Sequence, residues 1–179
     1  LELHLVRHPA PLAAPGMCYG RTDVAVAPED TAAAVARLRP LLPVAPLFTS
    51  PLQRCAMLAH SLSGQAIVDA RLSEIDFGSW EMRPWDNIAR DEVDAWAADV
   101  VHYRPGGGES VLQMAQRIAH FHDALVLQRI ERGTVICHAG SIRLLAARHR
   151  GLDPQAMALH AAATPHAIAY GEIVVLPGV

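Results

Sequence analysis

Leu3-His4-Leu5-Val6-Arg7-His8 is an apolar, β-prone run that stops abruptly at a histidine, and Thr134-Val135-Ile136-Cys137-His138-Ala139-Gly140 repeats the pattern. Read as parallel strands of one sheet, the two runs deliver His8 and His138 to the same edge. Open α/β sheets bind ligands outside the carboxyl ends of their strands. Two imidazoles at that edge, with Arg7 beside one and a helix start after the other, mark a site suited to an anion.

The rest of the chain alternates between strand-like and helix-like segments. Residues 2–8 read as a first strand, 9–27 as a long loop, 29–39 as an alanine-rich helix and 47–49 as a short strand. A loop of that length inside a compact domain usually serves a function. Ser50-Pro51-Leu52-Gln53 has the form of a helix start, with Ser50 as N-cap and proline at the first helical position. A strand near 66–69 and an irregular stretch over 70–84 lead to a helix at 86–99. Ser110-Val111-Leu112-Gln113 again has capping-box form, and the helical period behind it runs on to Arg132, with Gly133 as the stop. After the strand ending at His138 come helices at 141–150 and 154–161, then a hairpin of 164–169 and 172–176 turning at Tyr170-Gly171. Strands alternating with helices imply a three-layer α/β/α sandwich around a mainly parallel sheet.

Composition fits one such domain over residues 1–179. Apolar residues make up 51% and charged residues 18%, the balance of a well-filled globule. A net charge of −3 gives no reason to expect nucleic acid or an anionic membrane as partner. Any anion is then held by local arginines. Cys18, Cys55 and Cys137 are widely spaced and form no CxxC pair, which points to a reducing cytoplasm and away from a cysteine zinc site. No apolar run approaches the roughly 20 residues that span a bilayer.

Arg54 and Arg143 both fall in the first turn of a helix that follows a strand. A helix start carries partial positive charge, so an arginine there is mildly unfavourable unless an anion lies nearby. Phosphate fits best, because guanidinium forks match its oxygens and helix starts offer free N–H groups. The other histidines read as ordinary surface or core residues, and His120 and His122, two apart on a helix, point to different faces. No metal site is expected.

In order along the chain, Leu5-Val6-Arg7-His8, Gly20-Arg21-Thr22-Asp23, Thr49-Ser50-Pro51-Leu52-Gln53-Arg54-Cys55, Leu72-Ser73-Glu74-Ile75-Asp76-Phe77-Gly78-Ser79-Trp80-Glu81, Gly107-Gly108-Glu109-Ser110 and His138-Ala139-Gly140-Ser141-Ile142-Arg143 resemble the motifs of the histidine phosphatase superfamily, also called the phosphoglycerate mutase-like family. The Cys18-Tyr19-Gly20-Arg21 phrase with Glu74 and Trp80-Glu81 is most similar to the α-ribazole phosphatase branch. The resemblance implies a metal-independent, cofactor-free phosphomonoesterase in which His8 is the nucleophile and becomes transiently phosphorylated. It implies a phosphate pocket of Arg7, Arg54 and His138, with an added contact from Arg21. It makes Glu74 the proton donor, with Glu81 as the alternative. The implied partner is a small phosphorylated metabolite, α-ribazole 5′-phosphate in cobalamin biosynthesis being the candidate, and the protein is then a monomer or homodimer. The rivals are a cofactor-dependent phosphoglycerate mutase and a catalytically weak phosphate-binding regulatory protein. Where the family's motif continues Gly-x-Thr, this chain has Pro9-Ala10-Pro11, and the two prolines offer no backbone N–H.

Overall fold

The computed structural model describes residues 1–164 and 167–178. Five strands, β1 (Glu2–Arg7), β2 (Leu47–Thr49), β3 (Ile67–Val68), β4 (Arg132–Cys137) and β5 (Ile173–Leu176), form one sheet in the order β3-β2-β4-β1-β5. β1, β2, β3 and β4 run parallel, and β5 closes the edge antiparallel to β1. Among the described residues six α-helices accompany them: α1 (Pro28–Leu38), α2 (Gln53–Leu62), α3 (Arg90–Ala98), α4 (Val111–Leu127), α5 (Ala139–His149) and α6 (Pro154–Ala163).

Successive strand residues point to opposite faces, so one strand can feed two cores. Leu3 and Leu5 of β1 join Val135 and Cys137 of β4 in the larger core, beneath α4, α5 and α6. Val6 and Ile136 project the other way into a smaller core with Ala34 and Leu38 of α1 and Leu58 of α2. Burial on both faces accounts for the nearly unbroken apolar runs of the central strands. Among the described residues, no helix is long and apolar enough to cross a membrane.

Several boundaries differ from the sequence expectation. The helix after β2 starts at Gln53 with Leu52 at its cap, not with Ser50. Ser50 is fully buried, accepts from the Leu52 N–H at 3.3 Å, and turns its hydroxyl to His138. The third helix is shorter than expected, since residues 85–87 form a separate 3-10 turn before Arg90. α4 begins with the expected reciprocal cap between Ser110 and Gln113 but stops at Leu127, short of Arg132. Arg129 takes a left-handed φ of 55°, and the Arg129 and Ile130 N–H groups return to the carbonyls of Val126 and Leu125, both at 3.0 Å. This is a Schellman closure with arginine in the place glycine usually takes. α5 starts at Ala139, two residues early, which puts Gly140 in its first turn.

Among the described residues the expected C-terminal hairpin does not form. The turn at Tyr170-Gly171 is present, but the strand after it pairs with β1, Leu3 opposite Leu176. Residues 167–169 form no strand, and residues 165 and 166 of the expected first arm lie outside the described residues. The open edge of β1 presents unpaired backbone groups along its whole length, and β5 satisfies them.

An exposed arginine in the left-handed region carries a steric cost that glycine avoids. Arg129→Gly should therefore stabilise the fold by about 1 kcal/mol, raising Tm by roughly 2–4 °C in a thermal melt. An unchanged or lower Tm would contradict this account of how α4 ends.

Candidate active site

The parallel register of β1 and β4 sets Arg7 opposite Cys137, and the ladder continues one step as the His8 N–H donates to the Cys137 carbonyl at 3.1 Å. His8 and His138 thereby emerge side by side, ring centroids 5.2 Å apart and planes inclined at 61°. They face a cavity of about 590 Å³ whose lining includes Arg7, Arg54, Glu74 and Arg143.

His8 is 3% exposed. Its Nδ1 lies 2.6 Å from the Pro9 carbonyl oxygen, which can only accept, so Nδ1 carries the proton and donates. Nε2 is left with its lone pair. Burial holds the imidazolium form down, to a pKa of about 3; the Pro9 bond works against this, and the Arg54 and Arg7 charges reinforce it. At neutral pH the ring is an uncharged base with one defined tautomer. Pro9, which has no N–H to give, supplies the carbonyl that fixes that tautomer.

His138 is buried beside it, its Nε2 2.8 Å from the Ser50 Oγ and 3.6 Å from the Cys55 Sγ. Burial first, then the His8 and Arg54 neighbours, keep it neutral as well. Arg54, 1% exposed in the first turn of α2, donates to the carbonyls of Thr22, at 2.7 Å, and Gly20. Arg7 donates to the Ile168 carbonyl at 2.5 Å, and its guanidinium carbon sits 3.9 Å over the Tyr170 ring. The Nε atoms of Arg7 and Arg54 are buried with no hydrogen-bond partner among the described residues. Two guanidinium groups and two neutral imidazoles thus converge where, among the described residues, Glu74 is the one carboxyl group in the lining.

Glu74 accepts from the Ile75 N–H at 3.0 Å and from the Gly140 N–H at 3.1 Å. A Cβ on residue 140 would lie 2.4 Å from its Oε1, so glycine at that position makes room for the carboxyl group. Burial raises the Glu74 pKa above the ordinary carboxylate value, and these two bonds and the Arg117 and Arg54 charges only partly offset it. Arg117 of α4 also donates to the carbonyls of Ser73, at 2.6 Å, and Glu74, at 3.3 Å, which fixes the backbone that carries this carboxyl.

Glu81 is placed differently. It accepts from the N–H groups of Gly20, Arg21, Thr22 and Phe77 and from the Thr22 hydroxyl, at 2.6–3.3 Å. Burial alone would raise its pKa, but these five donors hold it below the ordinary range. It does not line the cavity. Its place is to fasten the long loop, where Gly20 passes so close to the Ile75 carbonyl that a Cβ would lie 2.0 Å from that oxygen.

The structure therefore brings Arg7, His8, Arg54, Glu74 and His138 around one cavity and leaves Arg21 out of its lining. Arg21 is 65% exposed and faces Asp76 at 3.7 Å. Because Glu81 grips the backbone at 20–22, the Arg21 side chain is directed outward. Arg143 does line the cavity, donating to the carbonyls of Ala161 and Thr164 at the end of α6. Four contributors were not read as site residues in the sequence: Ser50, expected as an N-cap, behind His138, Arg117 behind Glu74, and Tyr19 and Tyr170, whose hydroxyls meet at 3.2 Å. For Tyr170, only its place in the expected turn was a signal.

Known proteins resemble this chain. The chain is 33% identical over 90 residues to the adenosylcobalamin/α-ribazole phosphatase of Escherichia coli, a match that spans 48% of this chain and 44% of that protein. It is 28% identical over 168 residues to a probable phosphoglycerate mutase of Erwinia tasmaniensis, spanning 87% of this chain and 78% of the relative. In three dimensions the α-ribazole phosphatase of Shigella flexneri superposes with a TM-score of 0.76 at 28% identity, covering 88% of this chain and 83% of that one. A mycobacterial glucosyl-3-phosphoglycerate phosphatase shares the fold, with a TM-score of 0.79 at 24% identity over 98% of this chain and 92% of its own. The family pattern described as histidine phosphatase superfamily (branch 1) matches residues 3–170, a span that holds both strand-end histidines and every group facing them, and the chain belongs to that superfamily.

Proposed function

We propose that the chain is a metal-independent phosphomonoesterase that works through a phosphohistidine on His8, with α-ribazole 5′-phosphate as the leading candidate substrate. The observation that carries the reading is the pairing of a neutral His8, its Nδ1–H held by Pro9, with a Glu74 carboxyl whose pKa is raised in the same cavity. One group can give electrons, and burial of the other favours its protonated form.

In the first step Nε2 of His8 attacks phosphorus and the bond from phosphorus to the ester oxygen breaks. Charge spreads over the equatorial oxygens, which Arg7, Arg54 and His138 surround. Glu74 passes its proton to the departing alkoxide. In the second step the Glu74 carboxylate takes a proton from water as that water attacks phosphorus. The P–N bond breaks, phosphate leaves, and both residues return to their starting states.

The E. coli and Shigella relatives support α-ribazole 5′-phosphate, though the curated match spans less than half of the E. coli protein. A mutase is the second reading, favoured by the Erwinia relative. Product analysis separates them: a phosphatase releases inorganic phosphate, whereas a mutase returns the phosphoryl group to a sugar acid. Three buried free cysteines suit a reducing compartment.

His8→Ala should reduce turnover to near background and abolish the acid-labile phosphoenzyme trapped from radiolabelled substrate. Glu74→Gln should still form that phosphoenzyme but lose about 10²–10⁴ in rate on an alkyl phosphate, and much less on p-nitrophenyl phosphate, whose leaving oxygen hardly needs a proton. Equal losses on both esters would remove Glu74 from the donor role.

The pH profile follows from the same two groups. His8, with its pKa near 3, stays neutral throughout the usable range and contributes no limb there. Glu74 acts while protonated, so kcat/KM for an alkyl phosphate, corrected for ionisation of the ester, should fall as pH rises through its elevated pKa. That limb should be absent in Glu74→Gln.

Because guanidinium groups carry the charge neutralisation, EDTA should leave hydrolysis of p-nitrophenyl phosphate unchanged. Loss of activity on chelation, with recovery on adding a divalent ion, would refute metal independence.

A further inference from the structure

The charged groups of the cavity occupy only part of its wall. Phe77, Trp96, Val100, Val111, Met114 and Leu144 supply another part, and the small side chains of Ala161, Ala162 and Ala163 a third, with Tyr19 and Thr164 the uncharged polar side chains beside them. Met114 and Leu144 belong to the larger core, with Phe77 and Val111 packed against it, so this wall is the rim of that core and is held as firmly. Trp96 is backed by aromatic rings, lying parallel to Trp85 at 6.0 Å and edge-on to Phe77 at 6.1 Å and Trp80 at 5.8 Å.

Of the charged side chains lining the cavity, Arg143 is the one not gathered around the His8 and His138 rings. Its guanidinium already donates to the carbonyl oxygens of Ala161 and Thr164. A carboxylate on the leaving group would have to give up water for an apolar wall and share that one guanidinium with two carbonyls. An uncharged group with a ring would instead bury apolar surface against Phe77 and Trp96, with edge and face contacts available to it.

We infer that the alcohol released by this enzyme is uncharged and predominantly apolar, carrying a flat ring, and that phosphorylated sugar acids are poor substrates. The inference rests on the phosphatase reading above and narrows it to a class of ester.

Three alkyl monoesters make the test, since all leave as alkoxides and make similar demands on the proton donor: 2-phenylethyl phosphate, glycerol 3-phosphate and 3-phosphoglycerate. The expected result is a kcat/KM for 2-phenylethyl phosphate about 30-fold above that for glycerol 3-phosphate, in keeping with burial of one ring, with 3-phosphoglycerate the slowest. Trp96→Ala should shrink that preference to a few-fold through KM. Since Trp96 also supports its aromatic neighbours, Val100→Asn serves as the second variant, placing an amide in the wall at a less packed position, with the same expected direction. Hydrolysis of 3-phosphoglycerate as fast as, or faster than, the phenylethyl ester, with phosphohistidine still trapped, would overturn this inference and leave the phosphatase reading intact. A phenylethyl preference unmoved by either variant would likewise overturn it. Failure to turn over any of the three esters, with no phosphoenzyme, would overturn both.

Discussion

The pairing of β1 with β4 is the constraint on which the site depends. Parallel hydrogen bonds fix the register at Arg7 opposite Cys137, and both histidines follow directly from the strand ends. Side chains alternate along a strand, so a slip of one residue would turn His8 toward the opposite face and move it by about 3.3 Å. The same slip would send Leu3 and Leu5 out of the larger core. Alignment of the two histidines and hydrophobic burial are therefore enforced together, and both imidazoles follow directly from the paired central strands.

Two carboxyl groups seven positions apart in the chain illustrate how surroundings assign roles. Glu74 meets two N–H donors in a buried cavity wall, and desolvation prevails. Glu81 meets five donors, and hydrogen bonding prevails. Neither environment would exist without a glycine. The Gly140 position admits the Glu74 carboxyl, and Gly20 lets the loop lie against the Ile75 carbonyl.

Much of this was legible in the chain itself. The two β-prone runs ending in histidine placed the sheet edge correctly, because a fully buried parallel strand leaves a strong apolar signal. The Ser110 capping box was legible for a similar reason, being a local interaction with a fixed spacing. Ser50 had nearly the same local form, yet its hydroxyl is turned to His138, a partner 88 positions away that no local rule contains. The end of α4 was misplaced because arginine at a left-handed position gives no glycine signal. The strand at 172–176 was expected, but its partner was not, because the open edge of β1 competed successfully for its backbone groups. Arg21 sits within a family-like phrase, but a motif records residue order and not the direction of a side chain. Its backbone is gripped from the inside, and its guanidinium lies outside.

The long loop between β1 and α1 owes its order near residues 20–22 largely to one acid. Glu81 collects four N–H groups and a hydroxyl that would otherwise need solvent, and its pKa is depressed as a result. By linkage, this contribution is fully present above the ordinary carboxylate pKa and is lost as pH falls through the depressed one. The sheet is held by backbone ladders, whose N–H and C=O groups do not titrate. In acid, then, the loop beside Arg54 would loosen as a separate cooperative unit while the strands beneath it persist. The molecule would pass through a state in which the histidines keep their register but Arg54 no longer has the Gly20 and Thr22 carbonyls to hold it in place.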